Sequence, residues 1–415
     1  MTFNLTQRSR PHADGSFSAK TSRNIWALPV ARLLDHIRIG SLSITLPDGV
    51  RIESHRHDPE RHASIMIRNM AALRKLILGG SIGFSQSYIS GDWTSPDLPK
   101  LIEVLALNGE ALATRLNASV PLKIAHYLHH RLRRNSRRGS RNNISYHYDL
   151  GNDFYAKWLG ESMIYSSAIY SQAGDTLAQA QKRKMDRIVE LLDISEKHNI
   201  LEIGCGWGAL SRYIAEQRKA HIRGITLSEE QLRHAQQSVS RSEYKSLISL
   251  DLTDYRDVCE TYDRIVSIEM IEAVGEEFLP GYFNAIRDRL KPGGCAVIQA
   301  ITIDEKRFGR YKSSPDFIQK YIFPGGFLTT KTMMRRYADD AGLDLCHSEF
   351  FGKSYALTLQ EWRTQFIANW PEISQLGYGE KFKNMWEFYL AYCEGGFNAG
   401  AIDVGLYTFK HKPVL

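Results

Sequence analysis

The chain has 415 residues, too many for one typical hydrophobic core, and we expect two or more compact units. Hydrophobic residues make up 43% and charged residues 24%, a balance typical of a soluble globular protein and not of a disordered one. The net charge is only +7, and no segment reaches the roughly 18 consecutive apolar residues of a membrane-spanning helix, so an integral membrane protein is not expected.

The N-terminal residues 1–25 are predicted to be a disordered tail. The polar start of this segment lacks the apolar core of a signal peptide. The five cysteines lie far apart and form no CxxC pair. This spacing argues against a disulfide framework and a zinc site, so we expect a reducing, cytoplasmic location and no bound metal.

A small α+β unit is predicted over about 26–118. Residues 41–54 alternate apolar and polar side chains around a Pro-Asp-Gly turn, which predicts a β-hairpin. Residues 64–80 have mixed strand and helix character and end in a glycine pair, which is a plausible helix stop. A glycine- and aromatic-rich loop over 83–93 and a helix opened by Ser95-Pro96-Asp97 are expected to follow.

A basic linker is predicted over 119–143. Residues 131–141 contain six arginines and no acidic residue. The segment is either a solvated connection or a surface for a polyanion. An anionic membrane surface is favoured over nucleic acid, because the sequence contains no zinc-finger, RRM or KH signature.

From residue 144 onward, helical patterns alternate with short β-branched segments. Residues 177–192 place apolar side chains on one helix face. Aromatic-rich helices are predicted over 360–394, and a final edge strand over 401–409. The other predicted strands are 199–204, 224–227, 247–252, 262–268 and 294–300. This alternation predicts a parallel sheet wrapped by helices, with the ligand at the carboxyl ends of the strands.

Three glycines follow the first strand of this series. Gly204, Gly206 and Gly208 come between the strand and the next helix, where a sharp bend or a close ligand requires the absence of a Cβ. The spacing G-x-G-x-G after Glu202 differs from the dinucleotide pattern G-x-G-x-x-G. The second strand also ends without an acidic residue for an NAD ribose, and Gln231 is the nearest polar side chain, so NAD is not expected.

Several segments resemble the cyclopropane fatty acyl phospholipid synthase family, which also contains the mycolic acid methyltransferases. In chain order they are LEIGCGWGAL, GITLSEEQ, DYRD, SIEMIEAVG, LKPGG and KYIFPGG. The resemblance covers roughly 144–410, and GFSQSYISGDW resembles the extra domain of the longer bacterial members. It implies an S-adenosylmethionine-dependent methyltransferase that acts on a cis double bond in a membrane lipid acyl chain.

The implied fold class is α/β: a class I methyltransferase, Rossmann-like seven-stranded sheet with helical insertions, plus a small N-terminal α+β domain. The expected organisation is a tail at 1–25, the N-terminal domain at 26–118, a basic linker at 119–143 and the methyltransferase domain at 144–415.

The resemblance also implies a set of S-adenosylmethionine contacts. The expected contacts are Gly204, Gly206 and Gly208 at the methionine portion, Thr226, Leu227 and Gln231 at the ribose, Asp254 and Tyr255 at the adenine, and Ile268 at the sulfonium. The side chains expected to close over the cofactor are Tyr148, Tyr165 and Ser166.

Family members are understood to bind a bicarbonate ion, which takes a proton from the newly added methyl group. The matching positions are Ser167, Glu272, Gln299, Ile301 (through its backbone N–H) and Tyr355. Ser167 stands where many members have Cys, and Gln299 where many have His. Glutamine cannot carry charge or shuttle a proton as histidine does, but both substitutes can donate hydrogen bonds to an oxyanion.

Two products therefore stay open. If bicarbonate still binds, the product is a cyclopropane. If the two substitutions alter the fate of the cation, the product is a methylene- or methyl-branched chain, or the substrate is an acyl chain that is already modified and electron-rich.

An acyl chain needs an apolar pocket, and part of an aromatic-rich set is expected to wall it while the rest packs between helices. The set is Phe317, Tyr321, Ile322, Phe323, Trp362, Phe366, Trp370, Trp386, Phe388 and Tyr389. The implied partners are an unsaturated phospholipid, the anionic inner face of the membrane and a second copy of the chain in a dimer. Two rival functions are a coclaurine-type N-methyltransferase of soluble amines and a non-catalytic lipid-binding relative.

Overall fold

The computed structural model of the protein describes residues 26–113, the single positions 136, 139, 143 and 147, and residues 150–314 and 316–412. The predicted tail, all but three positions of the basic linker, and Tyr148 lie outside the described residues. Within the described ranges, every helix is too short or too polar to cross a membrane.

The N-terminal unit is a small sheet covered by helices. Its elements are α1 (Ala27–Leu34), β1 (Ser41–Thr45), β2 (Arg51–Glu53), β3 (His62–Ile67), α2 (Ala71–Ile89), β4 (Trp93–Thr94), α3 (Leu98–Leu107) and α4 (Gly109–Ala113). The strand order is β2-β1-β3-β4, with β1 antiparallel to β2 and parallel to β3. The predicted hairpin is confirmed, because Ser43 pairs with Glu53 across the turn.

Two local signals in this unit had different outcomes. Asp97 caps α3 as predicted, since its side chain accepts a hydrogen bond from the Lys100 backbone N–H at 3.0 Å. The glycine pair interrupts the helix as predicted, because Gly80 has a non-helical backbone (φ 56°, ψ −138°), and α2 is two helical segments joined at this kink. The predicted loop after the pair is wrong, because the second helical segment continues to Ile89. Packing of this second segment, for example Tyr88 against Phe388 with ring centroids 5.4 Å apart, outweighs the local loop signal.

The rest of the described chain forms a seven-stranded sheet with helices. The first elements are α5 (Asn152–Leu159), α6 (Leu177–Leu191), β5 (Asn199–Ile203), α7 (Ala209–Arg218), β6 (His221–Thr226), α8 (Glu229–Ser240), β7 (Ile248–Leu252), β8 (Tyr262–Ile268) and α9 (Leu279–Arg289). The remaining elements are β9 (Leu290–Ile303), α10 (Glu305–Ser313), α11 (Phe317–Tyr321), α12 (Lys331–Asp340), β10 (Leu343–Phe350), α13 (Gly352–Ala368), α14 (Trp370–Ser374), α15 (Glu380–Asn398) and β11 (Ile402–His411).

The sheet has the order β10-β11-β9-β8-β5-β6-β7. Strands β5 to β9 pair with one another in parallel, and β11 is antiparallel to both β9 and β10. The predicted seven-stranded class I methyltransferase sheet is therefore confirmed. The prediction that the final strand lies at the edge of the sheet is wrong. Strand β11 lies between β9 and β10, and β10, which pairs with it, is the edge strand. The segment of β10, LDLCHSEF, is too polar to read as a strand without that pairing.

Helices α13 and α15 join the two parts of the chain. One continuous hydrophobic cluster contains buried residues of β1, β3 and α3 together with residues of α5, α13 and α15. A Cβ added at Gly395 in α15 would lie 2.7 Å from Ile102 Cβ in α3, so only glycine allows this close helix approach. The N-terminal unit therefore shares its core with the C-terminal helices.

Candidate active site

The loop after β5 is built from three glycines in the left-handed region of backbone conformation. Gly204, Gly206 and Gly208 have φ values of 83°, 53° and 80°, which residues with a Cβ adopt only with strain. A Cβ at Gly204 would also lie 3.0 Å from Met270 Cγ. The loop turns the chain into α7 and leaves bare backbone at the carboxyl end of β5.

A cavity of about 160 Å³ lies over this loop, at the carboxyl ends of β5, β6 and β8. The expected cofactor residues that line it are Gly204, Gly206, Thr226, Leu227, Gln231, Tyr255, Ile268, Tyr165 and Ser166. Two others do not line it. Gly208 lies beneath the loop, where an added Cβ would be 3.1 Å from Ala235 Cβ, and the Asp254 carboxylate pairs with Arg256 at 2.5 Å. Tyr148 lies outside the described residues.

Gln231 is positioned on the wall of this cavity by the start of α8. The Thr226 hydroxyl donates to Gln231 Oε1 at 3.0 Å, and the Gln231 backbone N–H donates to the capping side chain of Ser228 at 3.2 Å. Both bonds are buried. The buried side chains of Thr226, at the end of β6, and Gln231, in α8, are thus held in place by the chain itself. This arrangement fits recognition of a ribose without an acidic residue.

A second cavity has a volume of about 1130 Å³, above the roughly 300–1,000 Å³ of most small-molecule sites. One wall comes from the N-terminal unit, including Leu42, Ile65 and Ile102, and the opposite wall comes from α10, α11, α13 and α15. Most side chains on its walls are apolar. This space suits a long hydrocarbon better than a small polar substrate.

Four of the aromatic residues expected to supply apolar bulk line this large cavity: Phe317, Phe323, Phe388 and Tyr389. The others pack in or against the surrounding hydrophobic core, as expected for most of the set: Tyr321, Ile322, Trp362, Phe366, Trp370 and Trp386.

The two cavities meet at three residues that line both of them, Tyr165, Glu269 and Ala273. Tyr165 is held in place by a hydrogen bond between its hydroxyl and that of Tyr389, at 2.7 Å. A group bound over the glycine loop would therefore face the large apolar cavity at this junction.

Glu269 comes directly after β8, and the carboxylate of this half-buried residue accepts three hydrogen bonds. Oε1 accepts from the Gln299 side-chain amide at 2.6 Å and from the Ser167 backbone N–H at 2.9 Å, while Oε2 accepts from the Tyr355 hydroxyl at 2.6 Å. Burial raises the pKa of Glu269, and the three donors and the charge of Lys184 act in the opposite direction.

Glu272 binds the remaining expected donor, because Ile301 N–H donates to its Oε1 at 2.6 Å. Its other oxygen has no hydrogen-bond partner among the described residues. Burial, followed by the negative charge of Glu269, raises the pKa of Glu272 to about 8. The Ser167 hydroxyl donates to the Ala168 carbonyl at 2.9 Å. The five residues expected to hold bicarbonate are therefore close together, but they do not fit that ion, because their donors bind carbonyl or carboxylate oxygens of the chain.

Lys184 is a further buried charge, and it lines the smaller cavity. Its ammonium donates to Ser166 Oγ at 2.6 Å, and burial lowers its pKa to about 7 although Glu269 and Glu202 raise it. Burial raises the pKa of Glu202 to about 8, although it accepts a hydrogen bond from the Ser211 hydroxyl. The cation thus offsets part of the cost of burying two carboxylates near the junction.

Sequence reasoning did not single out Glu269 or Lys184. A usable signal existed for Glu269, since it follows Ile268 at the carboxyl end of a parallel strand, where ligands bind in such sheets. Lys184 had no such signal, because a lysine within an amphipathic helix is normally exposed.

Comparison with known proteins places the chain among lipid-modifying methyltransferases. The family model described as mycolic acid cyclopropane synthetase matches residues 135–406. The tuberculostearic acid methyltransferase UfaA1 of Mycobacterium tuberculosis is 39% identical over 363 residues, covering 85% of this chain and 84% of the relative. The cyclopropane-fatty-acyl-phospholipid synthase of Escherichia coli is 32% identical over 358 residues, covering 84% of this chain and 88% of the relative.

Solved structures give the same result for the fold. The mycolic acid cyclopropane synthase CmaA1, in a complex described as containing SAH and CTAB, matches with a TM-score of 0.62 and 30% identity. The match covers 65% of this chain and 97% of CmaA1.

Proposed function

Since the chain belongs to the mycolic acid cyclopropane synthetase family and is an S-adenosylmethionine-dependent methyltransferase, we propose that it methylates the cis double bond of an unsaturated acyl chain in membrane phospholipid. The observation that carries this proposal is the junction of the two cavities at Tyr165, Glu269 and Ala273. There the smaller cavity, in which we propose that the cofactor binds, adjoins the large apolar cavity. A soluble amine would not need a cavity of this size and character.

The residues around the smaller cavity suit S-adenosylmethionine. The glycine loop offers close backbone approach, Gln231 stands on the wall as a ribose contact, and Ile268 lies at the end next to the junction. The bound cofactor supplies an electrophilic methyl group. An isolated alkene is a weak nucleophile, so the protein has to exclude water and hold the double bond in line with that methyl group. Buried aromatic walls serve both purposes.

The product that we favour is a cyclopropane. Ring closure requires rapid loss of a proton from the added methyl group, and a carboxylate lies at the junction where that group would arrive. A second candidate product is a methylene- or methyl-branched chain. The methylene forms when a hydride shift moves the charge to the methylated carbon before the added methyl group loses a proton, and the methyl-branched alkene forms when a chain carbon beside the cation loses the proton. The 39% identity to a tuberculostearic acid methyltransferase favours this second candidate.

We place the membrane contact at the mouth of the large cavity, where the N-terminal unit of about 26–118 supplies one wall. Leu78 is 61% exposed and Ile77 49% exposed, and their neighbours Leu76 and Gly79 line the cavity. Three basic residues of α10 also line it: Lys306, Arg307 and Arg310. An apolar edge beside positive charge is suited to an anionic bilayer from which an acyl chain enters.

The proposal is tested by mass spectrometry of membrane fatty acids from cells with and without this chain, fed methyl-labelled methionine. We expect a labelled species heavier than an unsaturated acid by one CH₂ group, and its fragmentation separates a ring from a branch. Purified protein should release S-adenosylhomocysteine with unsaturated phospholipid vesicles. Turnover of soluble amines, with none on any lipid, would refute the proposal.

A further inference from the structure

We infer that Glu269 is the proton acceptor of this enzyme, so that a carboxylate of the protein itself does the work expected of bicarbonate. The inference rests on the proposed function, because it names the base of that same site. It assigns Glu269 as a catalytic residue that faces the reacting methyl group.

The first support is the donor set around Glu269. Gln299, Ser167 and Tyr355 come from distant parts of the chain, and all three donate to this one carboxylate at 2.6 to 2.9 Å. Such a set recognises a planar anion with two oxygens, the shape shared by carboxylate and bicarbonate. With Glu269 in place, a free anion would have to displace its carboxylate from three charge-assisted hydrogen bonds.

The second support is the backbone. Glu269 has a φ of 50°, in the left-handed region that favours glycine. Its backbone N–H donates to the Gln299 carbonyl at 2.9 Å, so Gln299 holds both the main chain and the carboxylate of Glu269. A strained conformation of this kind persists where the surrounding structure enforces it, and such positions cluster at functional sites.

The third support is a difference in position between Glu269 and Glu272, the other carboxyl group nearby. Glu269 lines both cavities, whereas Glu272 lines only the large one and is bound to Ile301 N–H. The methyl group crosses from one cavity to the other, so Glu269 is the carboxylate at the crossing point.

The proposed step balances without an oxidant or a reductant. The π electrons of the double bond form the new bond to the methyl carbon, the electrons of the broken C–S bond stay on sulfur, and the neighbouring chain carbon becomes a cation. A C–H bond of the added methyl group then supplies the electrons that close the ring. The released proton goes to the Glu269 carboxylate, which becomes neutral.

The test compares purified wild type, Glu269→Gln and Glu269→Gly on unsaturated phospholipid vesicles, in CO₂-free buffer and with added bicarbonate. We expect the wild type to be equally active in both buffers. Glu269→Gln should lose at least about 100-fold, the scale of a missing general base. Glu269→Gly should lose as much without bicarbonate and regain at least about 10-fold with it, because the glycine opens the anion site and relieves the left-handed backbone.

A second readout is the binding of ¹³C-bicarbonate measured by NMR, expected for Glu269→Gly and not for the wild type. The matched control is Asp193→Gly. Asp193 is also an acidic residue with a left-handed backbone (φ 48°), but it is exposed and distant from Glu269 in the sequence. It should leave activity and bicarbonate response unchanged.

Wild-type activity that collapses in CO₂-free buffer and returns with bicarbonate would overturn the inference, even if neither Glu269 variant folds. Glu269→Gln that retains wild-type activity would also overturn it. Neither result would affect the proposed function, which fails separately if the wild type methylates no lipid.

Discussion

Replacing Tyr355 by Phe removes the hydroxyl that donates to Glu269 Oε2 at 2.6 Å. Tyr355 is buried and Glu269 is half-buried, so water has limited access to replace the lost donor. A hydrogen bond to a charged group is worth about 1.5–3 kcal/mol. Since one pKa unit corresponds to about 1.4 kcal/mol, the pKa of Glu269 should rise by about one to two units in Tyr355→Phe.

The sign of the effect on activity follows from the role of Glu269. Only the ionised carboxylate can accept a proton, and burial already raises its pKa while the Tyr355 hydroxyl, the Gln299 amide and the charge of Lys184 lower it. Removing the hydroxyl therefore moves the rising limb of the pH–rate profile to higher pH by about one to two units. Below that limb the rate should fall by roughly 10- to 100-fold, and at high pH it should approach the wild-type rate.

The assay is the initial rate of S-adenosylhomocysteine release at saturating cofactor and lipid across the pH range. The matched control is Tyr262→Phe, at the opposite end of β8, which also removes a tyrosine hydroxyl bound to a charged side chain, Arg223 at 3.2 Å. Its profile should coincide with that of the wild type. An unshifted limb in Tyr355→Phe, or an equal shift in both variants, would refute the reasoning.

Three further predictions concern the cofactor site, the buried charges and the acyl cavity. Gly206→Ala should cost roughly 1–2 kcal/mol of binding or folding energy through its φ of 53° alone, because an added Cβ meets no atom within 4 Å; calorimetry with S-adenosylmethionine checks this, and unchanged affinity together with unchanged stability would contradict it. Lys184→Met leaves buried carboxylates without their cation, so the free energy of unfolding measured in urea should fall by about 3–5 kcal/mol. In the exposed control Lys182→Met the free energy of unfolding should change by no more than about 0.5 kcal/mol. Equal losses in the two variants would argue against a buried charge cluster. Leu105→Trp fills part of the 1130 Å³ cavity and should reduce turnover of long acyl chains more than short ones without changing cofactor affinity, and an equal loss for all chain lengths would count against an acyl site there.

The sequence predicted the glycine loop and the parallel sheet because both depend on local chemistry. Gly204, Gly206 and Gly208 each adopt the positive φ that their residue type allows, and the strands are short β-branched segments between helices. Local signals failed where packing opposed them. The glycine pair before residue 81 does break the helix, but the segment after it is helical where a loop was predicted, and β10 is a strand because β11 pairs with it and not because of its own polar sequence.

The sequence by itself thus determined the methyltransferase fold, the glycine loop after β5 and the group of residues that meet near Tyr355. Only the tertiary structure decided what those residues bind. The donors to Glu269 lie 30 to 102 positions away along the chain, and a left-handed turn after β8 aims the carboxylate at them. Likewise, the large apolar cavity exists only because two separately encoded apolar faces pack with a space between them. Such placements depend on how distant segments meet, and no single segment of the sequence encodes them.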